Sequence, residues 1–170
     1  MPVYDMPLSV AGIDEVIREL KGFRDALENA ESQIVTELAA IGENDMVSRI
    51  SAVVEPDGNI DTYASSTVRG NIAEVFLAGS QAAYIEFGTG VRGEQASHPL
   101  KDQVGITYLR GKHIYRIKSG KYAGQLGWKY FDRNKGKWRV TIGIEAQNIV
   151  FNTAQGLRLK VREVVREALR

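Results

Sequence analysis

Residues 84–93 read YIEFGTGVRG, with glycines at positions 88, 90 and 93 directly after an apolar run. The spacing G-x-G-x-x-G is the letter pattern of a dinucleotide-binding loop. Such a loop needs a helix after the glycines and a carboxylate about 20 residues later. Here Gly93 is followed by EQASHP, which lacks a helical pattern, and residues 108–115 contain no carboxylate. We therefore predict a tight turn at FGTG, and neither a nucleotide site nor any other cofactor site.

Two roles are open for the residues of this turn. Glycine adopts positive φ where another side chain would clash, so Gly88 or Gly90 suits a sharp reversal. We expect the two aromatic residues to anchor the turn to the core and Glu86 to make a fixed polar contact, either with backbone amides or with an arginine of a neighbouring subunit. Alternatively, burial disfavours the charged form of Glu86, which would suit a general acid. The candidate turn and subunit-contact residues are Tyr84, Glu86, Phe87, Gly88, Thr89 and Gly90.

A long helix is predicted ahead of this motif. From Ile13 to Ile41 apolar residues recur every seven positions, which predicts a helix with one apolar stripe. Gly42 predicts a break before a short continuation to Ile50. We favour packing of this helix on its own domain over a coiled-coil seam. Extended runs at residues 62–69 and 72–79 then predict a hairpin.

Further hairpins and a closing helix are predicted after the motif. One hairpin pairs residues 105–110 with 113–118, and another brackets the turn DRNKGK. Alternation places Trp138 with Val140 and Ile142 on a face that we expect to be core. The segment AQGLRLKVREVVREALR at the end of the sequence has a helical apolar stripe. The order helix, antiparallel strands, helix predicts a single α+β domain over residues 1–170.

The charge of the chain is distributed unevenly. Residues 1–100 contain 6 Lys and Arg against 16 Asp and Glu, a net charge of −10. Residues 101–140 contain 11 against 2, a net charge of +9. Such polarity suits either a nucleic-acid partner or subunits that stack acidic face to basic face, although a basic hairpin can also neutralise its own acidic helix.

The residue types argue against the commonest catalytic centres. The chain has no cysteine and two histidines, His98 and His113, which are not at a metal-ligand spacing. No serine lies in a G-x-S-x-G elbow. No apolar run approaches the roughly 18 residues of a membrane span, and the first residues do not resemble a signal peptide. We therefore expect a protein that is not an enzyme, binds no metal and does not enter the membrane.

The motif and its surroundings resemble a known family. YIEFGTG, with Ala82 and Ala83 before it and VRGEQASHP after it, is similar to the signature of minor tail components of long-tailed bacteriophages and prophages. These proteins are also described as tail-completion or head-tail joining proteins. The aromatic GWKY stretch with Trp138, and EAQNIVFNTAQ before the last helix, extend the resemblance. The chain departs from the family pattern at EPDGNIDTY and at Val150, which stands where relatives commonly have proline.

The resemblance implies a structural virion protein that forms a ring, expected to have six copies, between the head connector and the tail tube. In this role the basic segment would meet a neighbouring subunit or viral DNA. Alternatively, basic and aromatic residues are interleaved as in a free module that binds single-stranded nucleic acid. The candidate basic contact residues are Arg110, Lys112, Arg116, Lys118, Lys129, Arg133, Lys135, Lys137 and Arg139.

Overall fold

Two helices and two small sheets form the α+β fold of the computed structural model, which describes residues 10–53, 61–106, 114–132 and 135–169. The long elements are helix α1 (Val10–Val53), hairpin strands β1 (Tyr63–Arg69) and β2 (Ile72–Ala78), and the closing helix α5 (Ile149–Ala168). Between them lie three short helices and three further strands: α2 (Ala82–Phe87), α3 (Gly90–Gln95), α4 (Lys101–Val104), β3 (Tyr115–Arg116), β4 (Leu126–Asp132) and β5 (Lys137–Thr141). This order confirms the predicted fold class.

Helix α1 is continuous where the sequence predicted a break. Gly42 lies inside it and is buried, and a Cβ at this position would stand 3.0 Å from Leu157 and 3.1 Å from Val75. The glycine therefore permits close packing of α5 and β2 on α1 and does not end the helix. The predicted interruption was wrong because a glycine at a tight helix contact and a glycine at a helix end look alike in sequence.

The β1–β2 hairpin forms as predicted. Its strands pair antiparallel from Tyr63 opposite Ala78 to Arg69 opposite Ile72, so that Gly70 and Asn71 form the turn. The hairpin packs on the carboxyl-terminal half of α1, where the Ser66 hydroxyl donates a hydrogen bond to Glu43. One side of α1 is thus covered by a two-stranded sheet.

Helix α5 covers a second side of the same half of α1. The Thr153 hydroxyl donates to Asp45 at 2.6 Å, and Leu157 meets Gly42, so the two helices run antiparallel. Equal rise per residue in both helices brings the end of α5 beside residue 30 of α1, where Ala30 is buried. The core between these elements is formed by Met46, Ile50, Ile85 and Ile149.

The amino-terminal half of α1 extends past this core. Every described residue from 17 to 29 is exposed, including Leu20 and Phe23 at 54% and 63%. The predicted packing of the helix on its own domain therefore holds from Ala30 onward and does not extend to residues 17–29. The apolar stripe continues where no described element of the chain covers it.

A separate sheet follows, in the order β3-β4-β5. The predicted pairing around DRNKGK is confirmed, with Trp128 opposite Thr141 and Asp132 opposite Lys137. The predicted core position of Trp138 was wrong, because this side chain is 67% exposed, whereas Ile142 beyond the strand is buried. The predicted hairpin of residues 105–110 and 113–118 falls largely outside the described residues. Tyr115 and Arg116 pair with β4.

Candidate functional site

Glu86 lies at the amino end of helix α5. Its carboxylate is buried and accepts hydrogen bonds from the backbone N–H groups of Val150 (2.8 Å) and Phe151 (3.2 Å). These two N–H groups have no partner within a helix, and the positive end of the helix dipole favours a negative charge there. A side chain more than 60 residues away in sequence thus caps α5, whose own first residues make no side-chain cap. The expected fixed polar contact with backbone amides is confirmed.

His98 completes the surroundings of the carboxylate. It is 3% exposed, and its Nε2 lies 2.9 Å from Oε1 of Glu86. Its Nδ1 accepts a hydrogen bond from the backbone N–H of Leu100, so a neutral ring with the proton on Nε2 satisfies both contacts. The rings of Phe87 and Phe151 lie 4.6 Å and 5.7 Å from the His98 ring. We call Glu86, His98 and the first N–H groups of α5 the Glu86 cap.

The glycines of the motif join the same region to the strand before α5. Gly88 and Gly90 have φ of +74° and +64°, so both occupy the backbone region that the turn prediction required. A Cβ on Gly90 would stand 2.4 Å from the carbonyl oxygen of Ile142. Thr89 donates its backbone N–H to Ile144 and accepts the Ile144 N–H on its hydroxyl. The motif is therefore a structural turn that hydrogen bonds hold against residues 142–148.

Two parts of the motif differ from the sequence predictions. Tyr84 was expected to anchor the turn to the core, but it lies on the outer side of α2 and is 58% exposed. The stretch EQASHP after Gly93 was expected to lack a helix, but its first two residues belong to the short helix Gly90–Gln95. The arrangement is helix, turn, short helix, whereas a dinucleotide-binding loop joins a strand to a helix.

The contacts of Glu86 bear on its chemistry. Both oxygens of the carboxylate accept hydrogen bonds from groups of the chain itself, and a general acid must instead place its proton on a reacting group. An open groove of about 750 Å³ borders the cap and is lined mainly by apolar side chains, together with Gln103, Gln155 and Arg158. The part of the chain that the structure describes contains no cluster of three residues that would hold a metal ion. None of its helices is long and apolar enough to cross a membrane.

The predicted basic surface lies partly on the β4–β5 hairpin. Lys129, Lys137 and Arg139 are exposed on its strands, and Lys135 is exposed in its turn. Arg116 and Lys118 lie on and just after β3, where the Arg116 guanidinium donates to the carbonyl of Gly124. The remaining three predicted residues, Arg110, Lys112 and Arg133, lie outside the described residues.

One face of this hairpin is apolar and exposed. Alternation along paired strands places Phe131 and Val140 on the same side as Trp138, together with Lys129. Phe131 and Trp138 are cross-strand partners whose rings meet edge to face at 5.6 Å, and they are 47% and 67% exposed. We call Lys129, Phe131, Trp138 and Val140 the hairpin face.

Sequence reasoning missed two parts of this architecture. His98 was interpreted as a loop residue beside a proline; it does lie outside the helices and strands, but it is buried against Glu86. Asp45 and Thr153 join α1 to α5 through a hydrogen bond that spans 108 positions. A buried histidine can be suspected only once a buried carboxylate is known to lie nearby. No local pattern marks the Asp45 contact.

Comparison of the chain with models of known protein families, with curated proteins and with solved structures finds no match.

Proposed function

We propose that the chain is a structural protein of a long-tailed bacteriophage particle, a ring-forming component at the head-tail junction or the upper end of the tail. The proposal starts from the resemblance of residues 82–99 and 126–154 to tail-completion proteins. In this role the chain lies in the virion, its copies form a ring of six, and its neighbours are the head connector and tail-tube proteins. Viral DNA passes through such a ring, and no catalysis is required.

The observation that carries the proposal is the exposure of two apolar faces. The stripe on the protruding half of α1 and the hairpin face leave large side chains open to solvent, among them Phe23 and Trp138 at 63% and 67%. Exposed apolar patches of this kind mark surfaces that a partner covers. The subunits of a closed assembly bury such faces against each other, whereas an isolated globular protein would leave them in contact with water.

The motif residues have a structural part in this proposal. The Glu86 cap and the glycine turn fix the start of α5 against α2, which holds the sheet and the helices in one arrangement. Such a turn sets the geometry of a subunit without taking part in a reaction. Exposed Tyr84 on α2 is then a candidate contact with a neighbouring copy.

The experiment is to disrupt the gene in its phage or prophage and to examine the induced particles by electron microscopy. Full heads apart from tails, or tails of uncontrolled length, are the expected result. A wild-type copy supplied in trans must restore joined particles. Intact and infectious particles without the protein would overturn the proposal.

A second candidate is a free module that binds single-stranded nucleic acid. The exposure of Trp138 favours it, because base stacking requires an accessible aromatic ring and Lys129 lies on the same face of the hairpin. A true binder loses affinity steeply with rising salt. Titration of a labelled single-stranded oligonucleotide at several salt concentrations tests this candidate, with Trp138→Ala as the variant and Trp128→Phe, at a half-buried position, as its control. Weak binding without a salt dependence would exclude it.

A further inference from the structure

Three arginines form a row along the outer side of helix α5. Thr153, which contacts α1 through Asp45, and Val164 are both 1% exposed and mark the side of α5 that packs on α1. On the opposite side arginines recur every four residues, within an arc of about 80°. They are Arg158, Arg162 and Arg166, and all three are exposed. We call them the arginine row.

The acidic residues of this part of α5 lie on a different flank. Lys160 and Glu163 form an ion pair at 2.8 Å, and Glu167 lies one turn beyond Glu163. The hydrogen bond from Lys160 is the main cause of the lowered pKa of Glu163, and the charge of Arg166 is the smallest contribution. Among the described residues, no carboxylate forms an ion pair with the arginine row.

The helix alone does not account for this arrangement. Like charges four residues apart repel each other and destabilise a helix. The negative end of the helix dipole favours Arg166, which lies in the last turn, but this effect does not reach Arg158 near the middle of α5. An anion from outside the chain would relieve the repulsion, and a row of cations suits an anion whose charge repeats along a line.

We propose that the arginine row binds the phosphate backbone of duplex DNA. This inference rests on the proposed ring, through which viral DNA passes, and it assigns the surface of the chain that faces the DNA. Arginine binds a phosphate group through two parallel N–H groups. The row is about 12 Å long, which corresponds to about three to four base pairs along the duplex axis. A ring presents one row in each copy, so individually weak contacts act together.

The distribution of charge favours this surface over the basic β4–β5 hairpin. Lys129 and Lys137 lie on opposite sides of that hairpin, so its cations do not form one row. The phosphate backbone is uniformly negative and complements a row that is uniformly positive. The alternative occupant is an acidic protein surface, which would also cover Leu159, 83% exposed beside the row. The experiment distinguishes these two partners.

Two variants that remove equal charge test the assignment. The row variant is Arg158→Gln, Arg162→Gln and Arg166→Gln. The matched hairpin variant is Lys129→Gln, Lys137→Gln and Arg139→Gln. All six positions are exposed, and glutamine has a helix propensity close to that of arginine. Circular dichroism checks that each variant retains the wild-type helix content.

Fluorescence anisotropy measures binding of the 170-residue chain to a labelled duplex of about 30 base pairs, at salt concentrations between about 50 and 200 mM. The row variant should raise the dissociation constant at least about tenfold at the lowest salt concentration. The slope of the logarithm of the association constant against the logarithm of salt should fall by up to about 3, because each lost phosphate contact removes about 0.9. The hairpin variant should change the dissociation constant less than about threefold.

Three results would overturn the proposal. One is a wild-type chain that does not bind the duplex at about 50 mM salt. Another is a loss of binding in the hairpin variant that equals or exceeds the loss in the row variant. The third comes from competition with poly-L-glutamate, which should displace the duplex poorly. Displacement as efficient as that by unlabelled duplex, and dependent on the arginine row, would identify an acidic protein surface as the partner.

These results are separable from a failure of the proposed function. If gene disruption leaves particles intact while the row variant loses DNA binding, the DNA surface stands and the virion role fails. If particles need the protein but the row variant binds DNA as the wild type does, the role stands and this surface fails.

Discussion

At the scale of single residues, one buried carboxylate connects elements that are far apart in sequence. Glu86 accepts three hydrogen bonds, two from the start of α5 and one from His98. A buried charge is tolerated when donors surround it, and removing it leaves those donors without partners. The carboxylate is therefore important for stability even if it has no part in chemistry.

Substitution of Glu86 should lower the free energy of unfolding. Glu86→Ala leaves the two N–H groups and the His98 Nε2 without an acceptor, and we expect a loss of about 3 kcal/mol or more. Glu86→Gln keeps one acceptor oxygen and should cost about 1–2 kcal/mol. Urea denaturation measures both, with Glu94→Gln, at an exposed position in α3, as the control. Equal stability of Glu86→Gln and Glu94→Gln would show that the cap contributes little.

The turn glycines permit a second prediction at this scale. Gly90→Ala forces a side chain into φ of +64° and against the Ile142 carbonyl at 2.4 Å. Gly136 has φ of +59° but open space around its Cβ position. We expect about 1 kcal/mol of destabilisation for Gly136→Ala from the backbone alone and at least about 3 kcal/mol for Gly90→Ala. Thermal unfolding of the two variants compares them, and similar midpoints would contradict the close approach.

The residue scale also shows what sequence can and cannot predict. A turn at FGTG follows from glycine chemistry, and Glu86 was expected to contact either backbone amides or an arginine of a neighbouring subunit. The identity of those partners was not predictable, because Val150 and Phe151 are more than 60 positions away. Tyr84 was predicted to be buried because aromatic residues usually are, yet it lies on the outer side of a short helix.

At the scale of elements, α1 and α5 are joined by a polar contact beside their apolar seam. The Asp45 carboxylate accepts hydrogen bonds from Arg49 at 2.7 Å and from Thr153 at 2.6 Å. The hydrogen bond from Arg49 is the main cause of the lowered pKa of Asp45, whereas burial acts in the opposite direction and raises it. The contact links the carboxyl-terminal half of α1 to the first turns of α5.

This contact predicts a pH dependence of stability. Because the pKa of Asp45 is lower in the folded chain than its usual value of 3.8, folding favours the charged form. The contribution is fully present above about pH 4 and is lost as the pH falls through the folded pKa. It should be below about 1 kcal/mol, because the side chain is 36% exposed and water screens it.

Asp45→Asn should therefore flatten the acid limb of the curve of unfolding free energy against pH. Urea denaturation between about pH 2.5 and pH 7 measures the difference, since this window spans the usual range of a carboxyl pKa. Asp25→Asn, at an exposed position on the protruding half of α1, is the control. An unchanged acid limb in Asp45→Asn would mean that the α1–α5 contact does not depend on this charge.

Element prediction succeeded where the periodicity was strong and local. The heptad of α1, the Gly70–Asn71 hairpin and the apolar stripe of α5 all appear in the structure. The predicted closing helix started later in the sequence than α5, which begins at Ile149. The start was missed because the cap is supplied by Glu86 and not by a residue just ahead of the helix. Trp138 was assigned to the core because alternation defines two faces of a strand without showing which of them is covered.

At the scale of the whole molecule, stability should be concentrated at one end. The core around Met46, Ile85 and Ile149 joins the carboxyl-terminal half of α1 to the hairpin and α5, while residues 17–29 of α1 are all exposed. An isolated helix shorter than about 12–15 residues is marginal in water even with good helix formers, and the exposed stretch, residues 17–29, has this length. Gly12 and Gly22 lower its intrinsic helicity further.

Hydrogen exchange of the monomeric chain should resolve these two ends. At a protein concentration where sedimentation shows a monomer, amides of residues 14–28 should exchange at least about tenfold faster than those of residues 38–50, because no described element packs on residues 17–29. In the assembled wild type the same amides should slow, while those of residues 38–50 change little. Mass spectrometry of peptic fragments measures both segments in one experiment. Equally slow exchange of the two segments in the monomer would mean that the protruding half is stable alone, and the need for a neighbouring copy to order it would disappear.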